Sequence, residues 1–386
     1  MTTLVNARLV LPDRVARGGL RITADGRIGE IFAWNPPPGN DDVVLDLAGN
    51  YVVPGFVDIH VHGGAGASYQ SGRAEDVRKA AGFHLAHGTT TTLASVVTGR
   101  PDELRDAVAG LARLCEDGVV AGIHLEGPYL AGTRCGAHDP DLLRAPDAGE
   151  FRRLVELGRG HLRMITLAPE LPGGLDLVRQ AVDADVIAAV GHTEATAETT
   201  RAAFDAGARV ATHLFNAMRP VHHREGGPIT TALNDPRVTV ELINDGVHVD
   251  ADVLRLAFAA SSGPLGASGA DRVALITDAM AAAGMGDGDY RLGGLDVRVE
   301  DGRALLADGS SIAGSTITMA EAFRRTVTEV GVPIERAARS AALTPSRVLG
   351  LDDRIGSLET AKNADLVVLD ETDLSVVRVM KNGHWQ

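Results

Sequence analysis

The sequence predicts an α/β chain in which a (β/α)8 TIM-type barrel carries a small β-sandwich domain built from both chain ends. Three observations predict it. The chain has 386 residues, enough for the ~250 that such a barrel takes plus one small satellite domain. Its middle alternates short apolar runs with amphipathic stretches, the pattern of repeated βα units. Both ends read as short strands with little helical periodicity.

At the N-terminal end, Leu4–Val10 alternates loosely, Leu20–Ile31 carries an Asp25-Gly26 turn, and Val43–Val53 ends in Pro54-Gly55. Pro36-Pro37-Pro38 reads as a rigid loop. The barrel strands predicted next are Phe56–Ile59, Thr89–Val97, Val119–Leu125, Arg163–Ala168, Val186–Val190, Arg209–His213, Val238–Ile243 and Val273–Thr277. Helical stretches at Ala74–His87, Asp102–Glu116, Thr196–Ala206 and Ala251–Ala260 separate many of them. Gly-Asp turns and alternation over Gly284–Gly309 predict an inserted hairpin, and Ala364–Leu369 and Val376–Lys381 are apolar strands. The expected domains are therefore 1–53 with 350–386 (small β domain) and 54–349 (barrel, with a hairpin near 285–310).

Composition narrows the function. The chain is 45% hydrophobic and 23% charged, which suits a soluble globular protein. Its formal charge of −14 and the lack of a basic run argue against nucleic acid as a partner. The same charge repels anions, so a phosphorylated ligand would need a local basic pocket. Two cysteines, Cys115 and Cys135, make no disulfide framework and fit a reducing cytoplasm. Met1–Asn6 carries no basic segment leading into an apolar core, so no secretion signal is expected. No apolar run reaches the ~18 residues of a membrane span.

The chemistry collects behind the strands. His60 and His62 follow the first, Glu126 the third, His192 the fifth, and Asp278 the eighth, while His213 ends the sixth. Barrel enzymes build their active sites at the C-terminal ends of the strands, so these six side chains would share one mouth. Singly, each has a plainer explanation: a lone His packs in a core, Glu126 starts a turn before Gly127-Pro128, and Asp278 caps a helix. Alternate positions on a strand point the same way, which strengthens His60-Val61-His62. The joint pattern at one end of one barrel outweighs the separate explanations. Imidazoles with a carboxylate suit a divalent metal, zinc first, with iron, manganese or cobalt as alternatives. Asp278 is the candidate base and acid. No serine elbow or phosphate-cradling loop is present, and Gly63-Gly64-Ala65-Gly66 reads as an entrance loop.

Pro54-Gly55-Phe56-Val57-Asp58-Ile59-His60-Val61-His62-Gly63 resembles the opening metal motif of the amidohydrolase superfamily. His124-Leu125-Glu126-Gly127-Pro128-Tyr129, Gly136-Ala137-His138, Gly191-His192-Thr193, Thr212-His213-Leu214-Phe215-Asn216-Ala217-Met218, Asp245-Gly246-Val247-His248, Thr277-Asp278-Ala279-Met280 and Ala313-Gly314-Ser315-Thr316 resemble its N-acetylglucosamine-6-phosphate deacetylase family. The likeness runs over nearly the whole chain, and the His213–Met218 segment is its most specific part.

The resemblance implies hydrolysis of the acetamide of a phosphorylated amino sugar to acetate and the free amine. It implies one or two divalent ions per subunit, with Glu126, His192 and His213 holding the first, His60 and His62 matching a second position that Glu126 would share, and Asp278 as the acid and base. His138 and His248 would face sugar or phosphate, with Asn216, the Ala217 amide and Arg224 at the phosphate. An Arg fork matches a phosphate dianion. A homodimer is implied in which Arg224 or His248 acts across the interface. One departure is visible: the family often places lysines in the loop that here reads Leu130–Gly136, leaving Arg134 as its cation and adding Cys135. Cys135 reads either as a small tolerated residue or as a thiol that modulates loop closure or binds metal. The rival functions are another amidohydrolase acting on a cyclic amide or nucleobase, and a scaffold that has lost catalysis.

Overall fold

A computed structural model of the chain describes residues 1–33, 43–261 and 271–386. The predicted Pro36-Pro37-Pro38 loop lies outside the described residues. The chain divides into two compact units, one of residues 1–58, 84–91 and 319–386, the other of residues 59–83 and 92–318.

In the first unit the chain ends meet in one mixed sheet. Thr2–Val10 pairs antiparallel with Val15–Ile22 and parallel with Val43–Asp46 and Tyr51–Pro54. Leu366–Leu369 then pairs antiparallel with Tyr51–Pro54, in the register Leu366↔Pro54 to Leu369↔Tyr51. The predicted Val43–Val53 strand is thus two strands, broken where Ala48 and Gly49 take φ of 53° and 86°. One face of this sheet buries Leu4, Leu9, Leu20, Ile22, Val52, Leu366 and Met380, which form a single apolar cluster. Full burial of such side chains contributes about 1.5–3 kcal/mol each.

A second, parallel sheet carries eight strands in sequential order: Phe56–Asp58, Thr89–Val97, Gly122–Glu126, Leu162–Leu167, Ile187–Val190, Val210–Ala211, Thr239–Ile243 and Val273–Ile276. It is the (β/α)8 barrel. Residues just beyond its first and last strands are tied by backbone bonds, among them Asp278 N–H to the His60 carbonyl at 2.9 Å and His62 N–H to the Ala279 carbonyl at 2.8 Å. The third strand starts later than its apolar run suggests, because Gly118 at φ 72° turns the chain and Val119 N–H caps the preceding helix at the Leu114 carbonyl.

The helices follow the apolar periodicity. Pro101–Glu116 buries Leu104, Ala107, Val108, Leu111 and Cys115 along one stripe. Burial pushes the Cys115 thiol up to about 12, so it is inert packing. Thr196 and Asp250 cap their helices through side-chain oxygens. The insertion is a three-stranded meander, Gly288–Leu292, Leu295–Glu300 and Arg303–Leu306, with one strand more than the predicted hairpin. Asp301-Gly302, both at positive φ, supplies the extra turn.

Candidate active site

Strand ends deliver the ionisable side chains to one cavity of about 450 Å³ in the second unit. Its walls include His62, Glu126, His138, His192, His213, Asn216, Ala217, His248 and Asp278. His60 lies beneath them, fully buried.

Glu126 is the node. Its Oε1 lies 3.0 Å from His213 Nε2, 3.1 Å from His192 Nε2 and 3.4 Å from His60 Nε2. Its Oε2 lies 3.3 Å from His62 Nε2 and 3.4 Å from His138 Nε2. Asp278 Oδ1 sits 3.1 Å from His62 Nε2 and 3.6 Å from His60 Nε2. Two overlapping sets, His60–His62–Glu126 and Glu126–His192–His213, each bring their donor atoms within 4.8 Å of one another. Within them the Nε2 atoms of His192 and His213 are 3.0 Å apart, and those of His60 and His62 3.2 Å apart. Lone pairs packed so closely around a carboxylate repel one another unless a cation lies between them, so this donor set fits divalent metal ions.

The backbone is strained where it must aim these groups. His192, His213, Ala217 and Asp278 take φ of 47°, 26°, 50° and 50°. Such conformations cost about 1–3 kcal/mol each and cluster at functional sites. Gly191 is required by space: a Cβ there would lie 2.7 Å from Thr212 Cβ and 2.8 Å from Thr166 Cγ2.

Electrostatics follow from the geometry. Burial opposes ionisation of Glu126, yet the imidazoles of His60, His138 and His192 around it hold its carboxyl well below the usual carboxylate range. Burial likewise opposes ionisation of Asp278, and His60 and His62 overcome it, bringing the carboxyl down to about 2. His62 is raised to about 9 despite its burial by Asp278 and Glu126. Burial lowers His138 to about 4, so it is neutral. His138 Nδ1 meets the Thr98 backbone N–H at 3.3 Å and the Thr98 hydroxyl at 2.9 Å, and its Nε2 faces Glu126 Oε2 at 3.4 Å. Burial opposes the charge on His248, but its 2.6 Å bond to Asp245 raises it.

Other predicted residues are placed less simply. Asn216 donates its carboxamide N–H groups to the carbonyls of His213 and Leu214, at 3.1 and 3.4 Å. Arg224 is exposed in the loop bridged by His222 and Glu225, with Nη1 2.7 Å from His223 Nε2. The structure does not bring it to the cavity of its own chain. Cys135 and Arg134 line the cavity, and Arg134 pairs with Glu194. The Arg134 carbonyl accepts from His192 Nδ1 at 2.8 Å, so the loop is tied to the site through a peptide oxygen.

Sequence reasoning missed the walls contributed by Leu292 and Ser310–Ile312. It also missed Glu241, whose carboxylate meets His60 Nδ1 at 3.1 Å. The available signal was an acid in the otherwise apolar strand Thr239–Ile243.

The barrel with imidazoles and carboxylates gathered at its strand ends defines a metal-dependent hydrolase, and the chain belongs to the amidohydrolase family, which it matches over residues 51–385. It is similar to the N-acetylgalactosamine-6-phosphate deacetylase of Escherichia coli (36% identity, 96% of each chain). It is similar also to the N-acetylglucosamine-6-phosphate deacetylase of Bacillus subtilis (33% identity, 97% of this chain and 94% of the relative). The crystal structure of N-acetyl-D-glucosamine-6-phosphate deacetylase from Mycobacterium smegmatis superimposes with a TM-score of 0.93 at 46% identity, covering 100% of both chains. A variant of that enzyme in complex with N-acetyl-D-glucosamine-6-phosphate superimposes with the same score, covering 100% of this chain and 98% of the variant.

Proposed function

We propose that this chain hydrolyses the acetamide of N-acetylglucosamine 6-phosphate to glucosamine 6-phosphate and acetate. The observation that carries the reading is the node at Glu126, ringed by imidazole Nε2 atoms at 3.0–3.4 Å, with the ionised Asp278 beside it.

His60, His62 and Glu126 would hold one divalent ion, and Glu126, His192 and His213 another, zinc being the ion the donor set suits best. A divalent ion in such a site makes water more acidic and polarises a carbonyl oxygen. Asp278, a carboxylate at neutral pH, takes a proton from the water that adds to the acetyl carbon. It returns that proton to the nitrogen as the C–N bond breaks. His138, neutral, with Nε2 3.4 Å from Glu126 Oε2, would donate to the acetyl oxygen as charge develops there.

Phosphate recognition falls to His248, whose charge Asp245 supports, and to the Ala217 backbone amide, since Asn216 spends its own donors on its turn. Arg224, exposed on its loop, would serve the site of a neighbouring subunit in a homodimer. No helix among the described residues is long and apolar enough to cross a membrane. A cytoplasmic protein is the reading most consistent with its two unbridged cysteines.

The C4 epimer is a specific second reading, because a relative at 36% identity is the galactosamine enzyme. Acetate release from N-acetylglucosamine and N-acetylgalactosamine, each with and without a 6-phosphate, decides the matter. N-acetylglucosamine 6-phosphate is expected to be turned over fastest. Equal rates on phosphorylated and unphosphorylated sugars would overturn it.

A further inference from the structure

Glu241 sits in the middle of a barrel strand with 0% exposure, between the fully buried Val240 and Leu242. A carboxylate so placed carries a large desolvation cost, which needs a compensating role. Its Oε2 accepts from two groups. One is His60 Nδ1 at 3.1 Å, and the other is the backbone N–H of His213, also at 3.1 Å. Its own carbonyl accepts the Leu214 N–H at 2.9 Å. Its Oε1 is buried without a hydrogen-bond partner among the described residues.

One oxygen therefore reaches both donor sets, the first through an imidazole and the second through the strained backbone of His213 at φ 26°. The four imidazoles differ in what stands behind them. His192 Nδ1 faces a peptide oxygen at 2.8 Å. The Nδ1 atoms of His62 and His213 are buried with no hydrogen-bond partner among the described residues. His60 has a carboxylate. A carboxylate on Nδ1–H fixes the proton there, leaves the Nε2 lone pair facing Glu126 and His62, and makes that nitrogen a stronger donor to metal.

We propose that Glu241 is a positioning residue that sets metal affinity at the His60–His62–Glu126 cluster by fixing the tautomer and basicity of His60. This rests on reading that cluster as a metal site. Glu241 touches no reacting atom in this account. A glutamine in its place keeps an oxygen that can still accept the His213 backbone N–H, so removing the charge acts on the donor sets mainly through His60.

The test loads wild type, Glu241→Gln, His60→Asn and the double variant with cadmium. Each position is followed by cadmium NMR and by chelator competition. Glu241→Gln is expected to weaken binding at the His60–His62 position by about tenfold to a hundredfold, the usual effect of losing such a partner, and to leave the Glu126–His192–His213 position unchanged. Added to His60→Asn, it should cause no further loss. Unchanged affinity in Glu241→Gln, or equal loss at both positions, overturns the proposal. A second measurement needs no variant: nitrogen NMR of the histidine side chains in the metal-loaded wild type. Here His60 Nδ1 is expected to carry a slowly exchanging proton, and an unprotonated Nδ1 overturns the proposal. If the wild type takes up no cadmium at His60 and His62, the metal reading itself falls and the proposal falls with it. That outcome is distinct from a wild type that binds cadmium and a Glu241 variant that binds it equally well.

Discussion

Replacing Asp278 by Asn removes a charge and a proton acceptor while keeping the side chain's shape. Its backbone is held independently, through its N–H on the His60 carbonyl at 2.9 Å and its carbonyl on Ser315 N–H at 2.8 Å. The substitution should therefore leave the mouth of the barrel intact. Asp278 is 8% exposed and its carboxyl is held down to about 2, so at neutral pH it is ionised and has an oxygen free to receive a proton. An amide cannot take the proton from water or deliver it to the departing nitrogen. General acid–base steps contribute about 10²–10⁴ in rate, or ~2.7–5.4 kcal/mol at ~1.36 kcal/mol per decade. The variant should lose at least the lower figure in kcat with metal content unchanged. The assay is acetate release under saturating substrate, paired with metal analysis of the same sample. A metal-replete Asp278→Asn protein with near-normal turnover would refute the assignment.

Changing His192 or His213 to Ala should empty the Glu126–His192–His213 position and abolish activity, whereas His60→Ala should empty only the other. Metal analysis showing equal loss from all three would contradict the division into two positions. Arg224→Ala should cut kcat/KM on the 6-phosphorylated sugar by roughly tenfold to a few hundredfold, since charge-assisted hydrogen bonds are worth ~1.5–3 kcal/mol and each ~1.4 kcal/mol is a decade. It should leave the slow rate on the unphosphorylated sugar alone, and a parallel change on both substrates would make Arg224 an ordinary surface residue. Because Asp245 and Asp278 raise the folded His248 above its unfolded value of ~6.5, its contribution to phosphate binding and to stability is full below that value. The contribution fades as pH rises through the raised folded value. KM for the phosphorylated sugar should thus climb on the alkaline side, and Asp245→Asn should move that climb to lower pH. An unmoved profile would remove His248 from the phosphate site.

The positions of His60, His62, Glu126, His192, His213 and Asp278 were legible because strand ends are legible. Apolar runs such as Val273–Ile276 are long enough to mark where a barrel strand stops, and a polar residue just beyond belongs to the mouth. Pairings across the barrel left no such trace. Nothing local to Glu241 says that it will meet His60, 181 residues away in sequence. Nor could any side-chain pattern announce that a peptide oxygen of Arg134 holds His192. The insertion was misjudged by one strand because Arg303–Leu306 is too short to carry its own alternation. Arg224 shows the opposite limit: its chemistry was plain from the sequence, and the fold of one chain leaves it exposed.

The central claim is that the Glu126 node binds divalent metal and that amide hydrolysis depends on it. Stripping the protein with chelator, titrating zinc back and measuring acetate released from N-acetylglucosamine 6-phosphate at each addition tests this most directly. The stripped protein is expected to be inactive, with activity that rises with bound zinc and saturates when the His and Glu126 positions are filled. Full acetate release from the stripped protein, or none from the fully reloaded one, would contradict it.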